Sequence, residues 1–567
     1  MDPIVVIHWG LQGAAIALGV GTLVVTRRRP MWVRLSLALA LPLLVVVLRS
    51  WWCVLILRPV LSDWSEARLA PSLALRLGYA LYSPPDRGVV SGWIYPPMAT
   101  LLYLPATGFA DPAAMILAGR CLSLAFYFGP VVWLLTREAR SGGLSPALGL
   151  LLFGLFAVWT NDSLALRYVS TEIVADNPAL GFGAITLGLL GTRSAPRPDR
   201  TIALAILAAT LAVWSKQIAV PLIGLPALWC LAQGGRRPFL RALIATGWIG
   251  GGLSLGFSEL FDPSAVYFHL VVVPSRHPWK ETTLEGMLRA SWSALSQDLV
   301  VFTIPAVGLI VMGAIHLRRG SRSQAPHVWP TWLPFLTAAV VELPFGLLGF
   351  SKVGGYVNSL AHIEYYAAIA GLLLLGQLAR AVPRLAWVVL ALALATAIAG
   401  HHRITATLAD RWPPWNDEQA RGENWIDEQR RIARYLREHP GEAYFPGHPL
   451  AHLAVEGVPV HFEYGVYDRD LAGFPINAAH LRRHIPPGTR RLIYPGGRSY
   501  CGYFLSRALP EFARPGQIPD WPGAMVLERS SAIESDQAPM GTSQVTPRSP
   551  STTSPITHDR TPASSVR

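Results

Sequence analysis

Lysine is almost missing from this chain: of 48 basic residues only three, Lys216, Lys280 and Lys352, are lysines. Charge of any kind is thin, at 15% of 567 residues against 51% hydrophobic. Cysteine is scarcer still. Four cysteines without a CxxC pair exclude a disulfide framework and a cysteine-based metal site. Cys53, Cys121 and Cys230 fall inside apolar runs and Cys501 stands alone, so all read as small buried residues. No basic segment precedes the first apolar run, so that run is expected to stay as an anchor rather than to be a cleaved leader.

What is present is apolar length. Runs of about 17 to 25 residues, each enough to cross a hydrocarbon core of about 30 Å, recur from Ile4 to about Gly400, and the mean hydropathy is +0.35. These predict an all-α polytopic membrane protein of about 12 spans, near 4–25, 34–58, 113–135, 144–160, 177–191, 201–215, 217–233, 240–257, 299–317, 331–349, 363–379 and 385–400. The net charge of +13 does not point to nucleic acid, because the arginines sit in short clusters between apolar runs. These are Arg27 to Arg29 with Arg34, Arg137 with Arg140, Arg193 with Arg197 and Arg200, Arg236 with Arg237 and Arg241, Arg318 with Arg319 and Arg322, and Arg380 with Arg384. They fall in alternate loops, as the positive-inside rule asks of cytoplasmic loops, which places both termini outside.

The alternate, outward loops hold the acids. Asp63 and Glu66 follow the second apolar run, and a carboxylate at membrane depth costs several kcal/mol, so it needs a reason to be there. If the segment is helical the two share a face; the plain alternative is a pair of interfacial charges at a helix start. Residues 66–82 and 96–109 of this outer loop, 60–112, read as two interfacial helices around the turn SPPDRGVVSGW, with Trp64, Trp93, Tyr95 and Tyr103 at matching depth. A second outer segment carries Asp162, Arg167, Glu172 and Asp176; Asp176 followed by Asn177 and Pro178 also fits a helix cap. All three lysines fall on the outer side, where a compact ammonium would hold a phosphate as a point charge, although arginine-biased coding with chance survivors would look the same. The loop Glu259 to Asp298 reads as a substrate cover, and SKVGGYVNSLAHIEYY sets Lys352, Asn358, His362 and Glu364 beyond a glycine break.

After Gly400 the composition turns polar. Residues 401–528 predict a small outer α/β domain, with a helix at 417–438 and strands near 442–446, 458–462, 490–494 and 523–527. His448, His452, Glu456 and His461 have only loosely metal-like spacing and read as solvated surface groups. Residues 529–567, rich in Ser, Thr and Pro, are expected to be disordered.

The order of Asp63, then GYALY, WIYPPMATLLYLPA and the Arg120 of LAGRCLSL resembles the C-type (GT-C) glycosyltransferases that use polyprenyl-phosphate sugars. The bacterial polyprenol-phosphate-mannose-dependent mannosyltransferases and the protein O-mannosyltransferases are nearest in pattern. ADNPALGFGAITLGLL, WSKQ and KVGGYVNSLAHIEYY continue the match, which covers most of residues 34–380. The resemblance implies a membrane catalytic domain at 34–400 in the cell membrane, preceded by an extra anchor at 1–33, with its site and the C-terminal domain extracytoplasmic. It also implies transfer of mannose or another hexose or pentose to a lipid, glycan or protein hydroxyl, with inversion. Asp63 matches the family's catalytic base and Asp176 its second outer acid; Trp64 and Ser65 separate Asp63 from Glu66, unlike members with adjacent acids. Tyr95, Arg120, Lys216, Gln217, Lys352, Asn358 and Glu364 are the substrate-binding candidates. The residues do not disclose a need for a cofactor; two or three of the carboxylates could hold a divalent cation, Mg²⁺ or Mn²⁺. Membrane lipids are the remaining partners. A secondary transporter would share the span count, but no internal repeat is visible and the acids lie at the outer end rather than the midplane. A non-catalytic subunit of cell-envelope polysaccharide assembly is the third reading.

Overall fold

The computed structural model describes residues 13–14, 17–52, 55, 62–191, 198–296, 298–319, 329–382, 391–392, 395, 425–495, 499, 501–519, 521 and 523–530. Most of the expected span 385–400, the helix start at 417–424 and the tail 531–567 therefore lie outside the described residues, as does most of 4–16. The chain is mostly helical. The helices of its N-terminal bundle are α1 (Met31–Trp52), α4 (Pro112–Arg140), α5 (Pro146–Asp162), α6 (Leu164–Thr171), α7 (Asp176–Leu190), α8 (Pro198–Val213), α9 (Leu225–Gly234), α10 (Arg236–Leu260), α11 (Leu284–Ser296), α12 (Leu299–Arg319), α13 (Leu333–Ser351) and α14 (Ala361–Ala381). The two helices expected in the outer loop are α2 (Ser62–Arg76) and α3 (Pro97–Tyr103), the latter running on as a 3₁₀ turn over Leu104–Gly108.

Twelve spans are not what the described residues show. Five helices are long and apolar enough to cross a membrane, α4, Gln217–Gly234, α10, α13 and α14, and seven units qualify if α5 with α6 and α11 with α12 are each taken as one bent span. The reason is length. Helices α7 and α8 have 15 and 16 residues, which at 1.5 Å per residue reach only about 22 to 24 Å, short of a core of about 30 Å.

Helix α14 is the axis of the membrane region. Its sequence is apolar around most of its circumference, with His362, Glu364 and Gln377 as polar interruptions, and almost all its residues are buried. Small residues let neighbours approach: Gly371 lies against Pro305 of α12 and Gly376 against Leu144 before α5.

The C-terminal domain joins α15 (Trp425–Glu438), α16 (Pro449–Val455) and α17 (Glu463–Leu471) to a four-stranded sheet of β1 (Ala443–Tyr444), β2 (Arg491–Tyr494), β3 (Arg514–Gly516) and β4 (Met525–Glu528) in the order β1-β2-β4-β3. The β1–β2 pair is parallel and the other two pairs are antiparallel. The strand expected at 458–462 is absent because its polar backbone is spent on docking: Phe462 N–H donates to Val90 O (2.9 Å), and Val90 N–H donates to His461 Nδ1 (3.0 Å). Tyr79, Arg469 and His480 add hydrogen bonds to or from Gly457, Pro85 and Gly88 across the same junction. Close approach at its centre needs glycine, since a Cβ on Gly465 would sit 2.6 Å from Gly92 Cα.

The histidines expected at the surface are buried, because each ring spends a nitrogen on the junction or on the domain core. His448 Nδ1 lies 2.6 Å from Glu66 Oε2, His452 Nδ1 lies 2.6 Å from Glu456 Oε2 while its Nε2 accepts from Phe445 N–H, and His461 takes Val90. Burial, with His484 and His480 close by, pushes His461 down to about 3, and burial pushes His269, which holds Ser83 O, down to about 4. Both folded values lie below the ordinary 6.5, so the unfolded chain takes up protons first as pH falls. Stability is then complete above about pH 6.5 and declines toward pH 4 and 3, by at most about 1.4 kcal/mol per pH unit for each group. Limited proteolysis of the junction between pH 7 and pH 4 should show this loss, and His461→Gln should make the pH dependence shallower.

Candidate active site

Asp176 opens α7, where the helix N-terminus favours an anion, and its carboxylate has no exposure to solvent. Lys216 Nζ donates to Oδ1, and Asn358 Nδ2 donates to Oδ2 at 2.9 Å. Behind them His362 Nε2 lies 3.7 Å from Oδ1, and its Nδ1 faces Glu342 Oε2 at 3.2 Å; all three side chains are fully buried. Taking an isolated carboxylate out of water costs several kcal/mol, so this acid persists only because a cation and an amide meet it.

Both partners sit at helix breaks. Helix α8 ends at Val213, and Lys216 takes an extended backbone (φ −151°) before the 3₁₀ turn Gln217–Gly224. Three residues of the WSKQ break have a job: Trp214 O accepts from Met98 N–H (3.0 Å), Lys216 meets Asp176, and Gln217 Nε2 donates to Ile94 O (2.6 Å). The break therefore carries the segment 94–98, and with it Tyr95, onto the lysine. Asn358 follows the break after α13, where Gly354 adopts φ +84° and a Cβ on Gly355 would lie 2.1 Å from Gly349 O.

Above the acid lies a partly exposed aromatic rim. The Arg68 guanidinium stacks 4.5 Å from the Tyr95 ring centroid and 5.4 Å from that of Trp64, and Lys216 Nζ lies 5.9 Å from Tyr95. Trp64 meets Tyr464 of α17 edge-on at 4.5 Å, and Tyr168 meets Tyr356 at 5.3 Å. Burial, with Asp468 close by, pushes the Tyr464 phenol well up, so it stays a protonated donor. Among the described residues, Arg68 Nη1 is buried without a hydrogen-bond partner. Two cations thus flank one tyrosine, and one of them has an unspent donor.

The structure brings together Asp176, Lys216, Asn358 and Tyr95 of the residues singled out from sequence, with Gln217 as their support. It carries others elsewhere. Glu66 faces the outer domain, accepting from Gln429 Nε2 (2.7 Å) and Ala451 N–H (3.2 Å) beside His448. Arg120 pairs with Glu172 at 2.8 Å, both fully buried, and lies 4.8 Å from the Trp425 ring centroid. Lys352 Nζ donates to Ser275 O (3.0 Å) and His277 O (2.8 Å) while Lys280 Nζ donates to Gly355 O (2.7 Å), so these two lysines clamp the cover loop. Glu364 accepts from Ser163 Oγ at 2.7 Å beside Asp298 in a separate cavity of about 240 Å³. Asp63 lies in the first turn of α2, one residue before Trp64, and its side chain lies outside the described residues. Among the described residues no three His, Cys, Asp or Glu side chains are placed to hold a metal ion.

Arg68 is the residue that sequence reasoning passed over. The only signal was its spacing of four from Trp64, which puts guanidinium and indole on one helix face. Glu342 had a clearer signal, as the one acid in the apolar run 331–349.

No family model and no curated protein matches this sequence. Among solved structures, the chain is similar to ArnT from Cupriavidus metallidurans bound to undecaprenyl phosphate, with a TM-score of 0.46 and 11% identity over 87% of this chain and 98% of that one. It is also similar to the Archaeoglobus fulgidus oligosaccharyltransferase in complex with zinc and sulfate, with a TM-score of 0.39 and 12% identity over 80% of this chain and 68% of that one.

Removing the cation should be costly. Lys216→Met strands a buried carboxylate and is expected to lower stability by about 3 to 5 kcal/mol, read as a fall in melting temperature of the purified chain. Adding Asp176→Asn should recover much of that loss.

Proposed function

We propose that this chain is an integral-membrane glycosyltransferase of the cell membrane that moves a sugar from a polyprenyl-phosphate donor to a hydroxyl of a lipid, glycan or protein acceptor on the outer face. The observation that carries this reading is the pairing of Lys216 and Arg68 around Tyr95, under a partly exposed aromatic rim, at the end of a helical bundle able to span a membrane. Two cations suit a phosphate, aromatic faces suit a sugar ring, and the membrane holds the apolar tail. The order of motifs shared with the C-type glycosyltransferases supports the same reading, and within it mannose is the first sugar to test. The arginine-rich alternate loops support the outward orientation.

In this mechanism Asp63 accepts the proton of the acceptor hydroxyl as its oxygen bonds to the anomeric carbon. The bond from that carbon to the phosphate oxygen breaks on the opposite face, so configuration inverts. The leaving phosphate takes the bonding pair, and its growing charge is met by Arg68 and Lys216. Asp176 serves by holding Lys216, since both its oxygens are already engaged. Tyr464 extends the site with a surface from the outer domain, where the acceptor would approach. A bound Mg²⁺ or Mn²⁺ would add charge at the phosphate, and no step above runs through one.

The test is transfer of labelled sugar by membranes containing the chain, with a panel of polyprenyl-phosphate sugars and a crude lipid and glycan acceptor mixture. Asp63→Asn at normal expression should lose at least about a hundredfold in rate; undiminished transfer would remove Asp63 as base. Arg68→Gln is expected to lower kcat/KM for the donor by about tenfold to a thousandfold, with the acceptor KM unchanged.

A further inference from the structure

A second basic surface lies away from the aromatic rim. Arg430, Arg434 and Arg437 of α15 are spaced by four and three residues, so they share one helix face, and all three are exposed. With Ala110, Asp111 and Ala433 they line a cavity of about 330 Å³. Asp111 caps α4 through Ala113 N–H and lies 3.4 Å from Arg430. Arg434 and Arg437 have no ion pair or hydrogen bond with another side chain among the described residues. The exposed acids Asp427 and Glu438 flank the stripe without lining the cavity.

Position gives this patch its meaning. Helix α4 is long and apolar enough to cross a membrane, and its 29 residues reach about 43 Å, close to the roughly 40–45 Å of a bilayer with its headgroup regions, so a spanning α4 has its N-terminal end among headgroups. The arginines around Asp111 therefore stand at headgroup depth. Beside them Phe109 is 53% exposed and Leu77 is 47% exposed, and the exposed Arg76 donates to Thr107 O just before Phe109. Large apolar side chains left bare at the boundary, rimmed by arginines, are the arrangement by which a protein surface seats itself on lipid, the rings entering the interface and the guanidinium groups meeting phosphate.

We propose that this patch binds the phosphate headgroups of anionic phospholipids and seats the outer domain on the bilayer. Charge complementarity and the bare apolar rim choose that occupant: the cavity carries three arginines against one carboxylate beside the exposed Phe109 and Leu77. The seating bears on the aromatic rim through the same helix, because α15 also carries Gln429 onto Glu66 and Trp425 onto Arg120, and Glu66 shares α2 with Arg68. This inference stands whether or not the chain transfers a sugar.

The experiment titrates the full-length chain in neutral detergent with phosphatidylglycerol or phosphatidylcholine, counting bound lipid by native mass spectrometry. Wild type should take up phosphatidylglycerol at a concentration at least about tenfold lower than phosphatidylcholine, and the R430Q/R434Q/R437Q variant should lose that preference, about fivefold for each arginine near a charged surface. Its melting temperature in phosphatidylcholine should match wild type. Arg434→Gln alone, whose side chain has no described partner to strand, should show about a fivefold loss and serves if the triple variant does not fold. The proposal is overturned if wild type shows no preference or the variants keep it. Displacement of phosphatidylglycerol by millimolar inorganic phosphate would overturn the lipid as occupant. So would a dimer that the triple variant turns into a monomer while lipid uptake stays unchanged, since the occupant would then be a second copy.

Discussion

A carboxylate held out of water is the constraint from which the membrane half of this protein follows. Asp176 cannot stand at the head of α7 without a cation, and the cation must arrive from a neighbouring helix. An unbroken α8 would carry Lys216 on as another turn of its own ladder. The chain instead leaves the helix after Val213 and turns Lys216 across onto the acid. That break frees the Trp214 carbonyl, which accepts from Met98 N–H, and brings the Gln217 side-chain amide onto Ile94 O, and so the Tyr-Pro-Pro segment is pinned beside the ion pair. Pro97 then starts α3 at the first helical position, where its missing N–H costs nothing.

The same logic explains which parts of the site were legible in the sequence. Acids and lysines are rare in the apolar background, so Asp176 and Lys216 stood out, and a Gly-Gly break marked where Asn358 would leave the helical ladder. Rarity alone misled for the other lysines. Lys352 pairs with Trp279, the neighbour of Lys280, in an isolated antiparallel bridge, and both lysines spend their ammonium groups on backbone carbonyls, a task that needs a flexible donor but no acid. Arg68 was hidden by the opposite cause, since one arginine among so many carries no signal of its own.

Glu66 shows where spacing stops being informative. Periodicity relates it to Asp63 on one helix, but says nothing of what that helix face meets. What it meets is Gln429, His448 and Ala451, more than 360 residues later. A change of composition after Gly400 announces a separate domain, and nothing in that change announces that the domain folds back to bury an acid of α2. The histidines expected to be solvated are buried for the same reason: His448 and His461 belong to a junction whose other half lies before residue 100. The outer domain thereby helps to hold the helix that carries Arg68 and lends Tyr464 to the rim.

Chemistry then bears on the choice of lysine at position 216. An ammonium has three donors on one compact point, whereas a guanidinium spreads five in a planar fork that pairs edge to edge with a carboxylate. Among the described residues Lys216 Nζ donates to Asp176 alone. A fork placed there would match both oxygens of Asp176 and displace Asn358, closing the pair upon itself. The ammonium neutralises the acid with one N–H and keeps two for whatever lies on the Tyr95 side. Across that ring stands Arg68, stacked on Tyr95 and Trp64, with Nη1 unspent among the described residues. The buried acid thus fixes one cation without consuming it, and the aromatic rim fixes the other, which leaves both disposed toward an anion that neither Asp176 nor Tyr95 supplies.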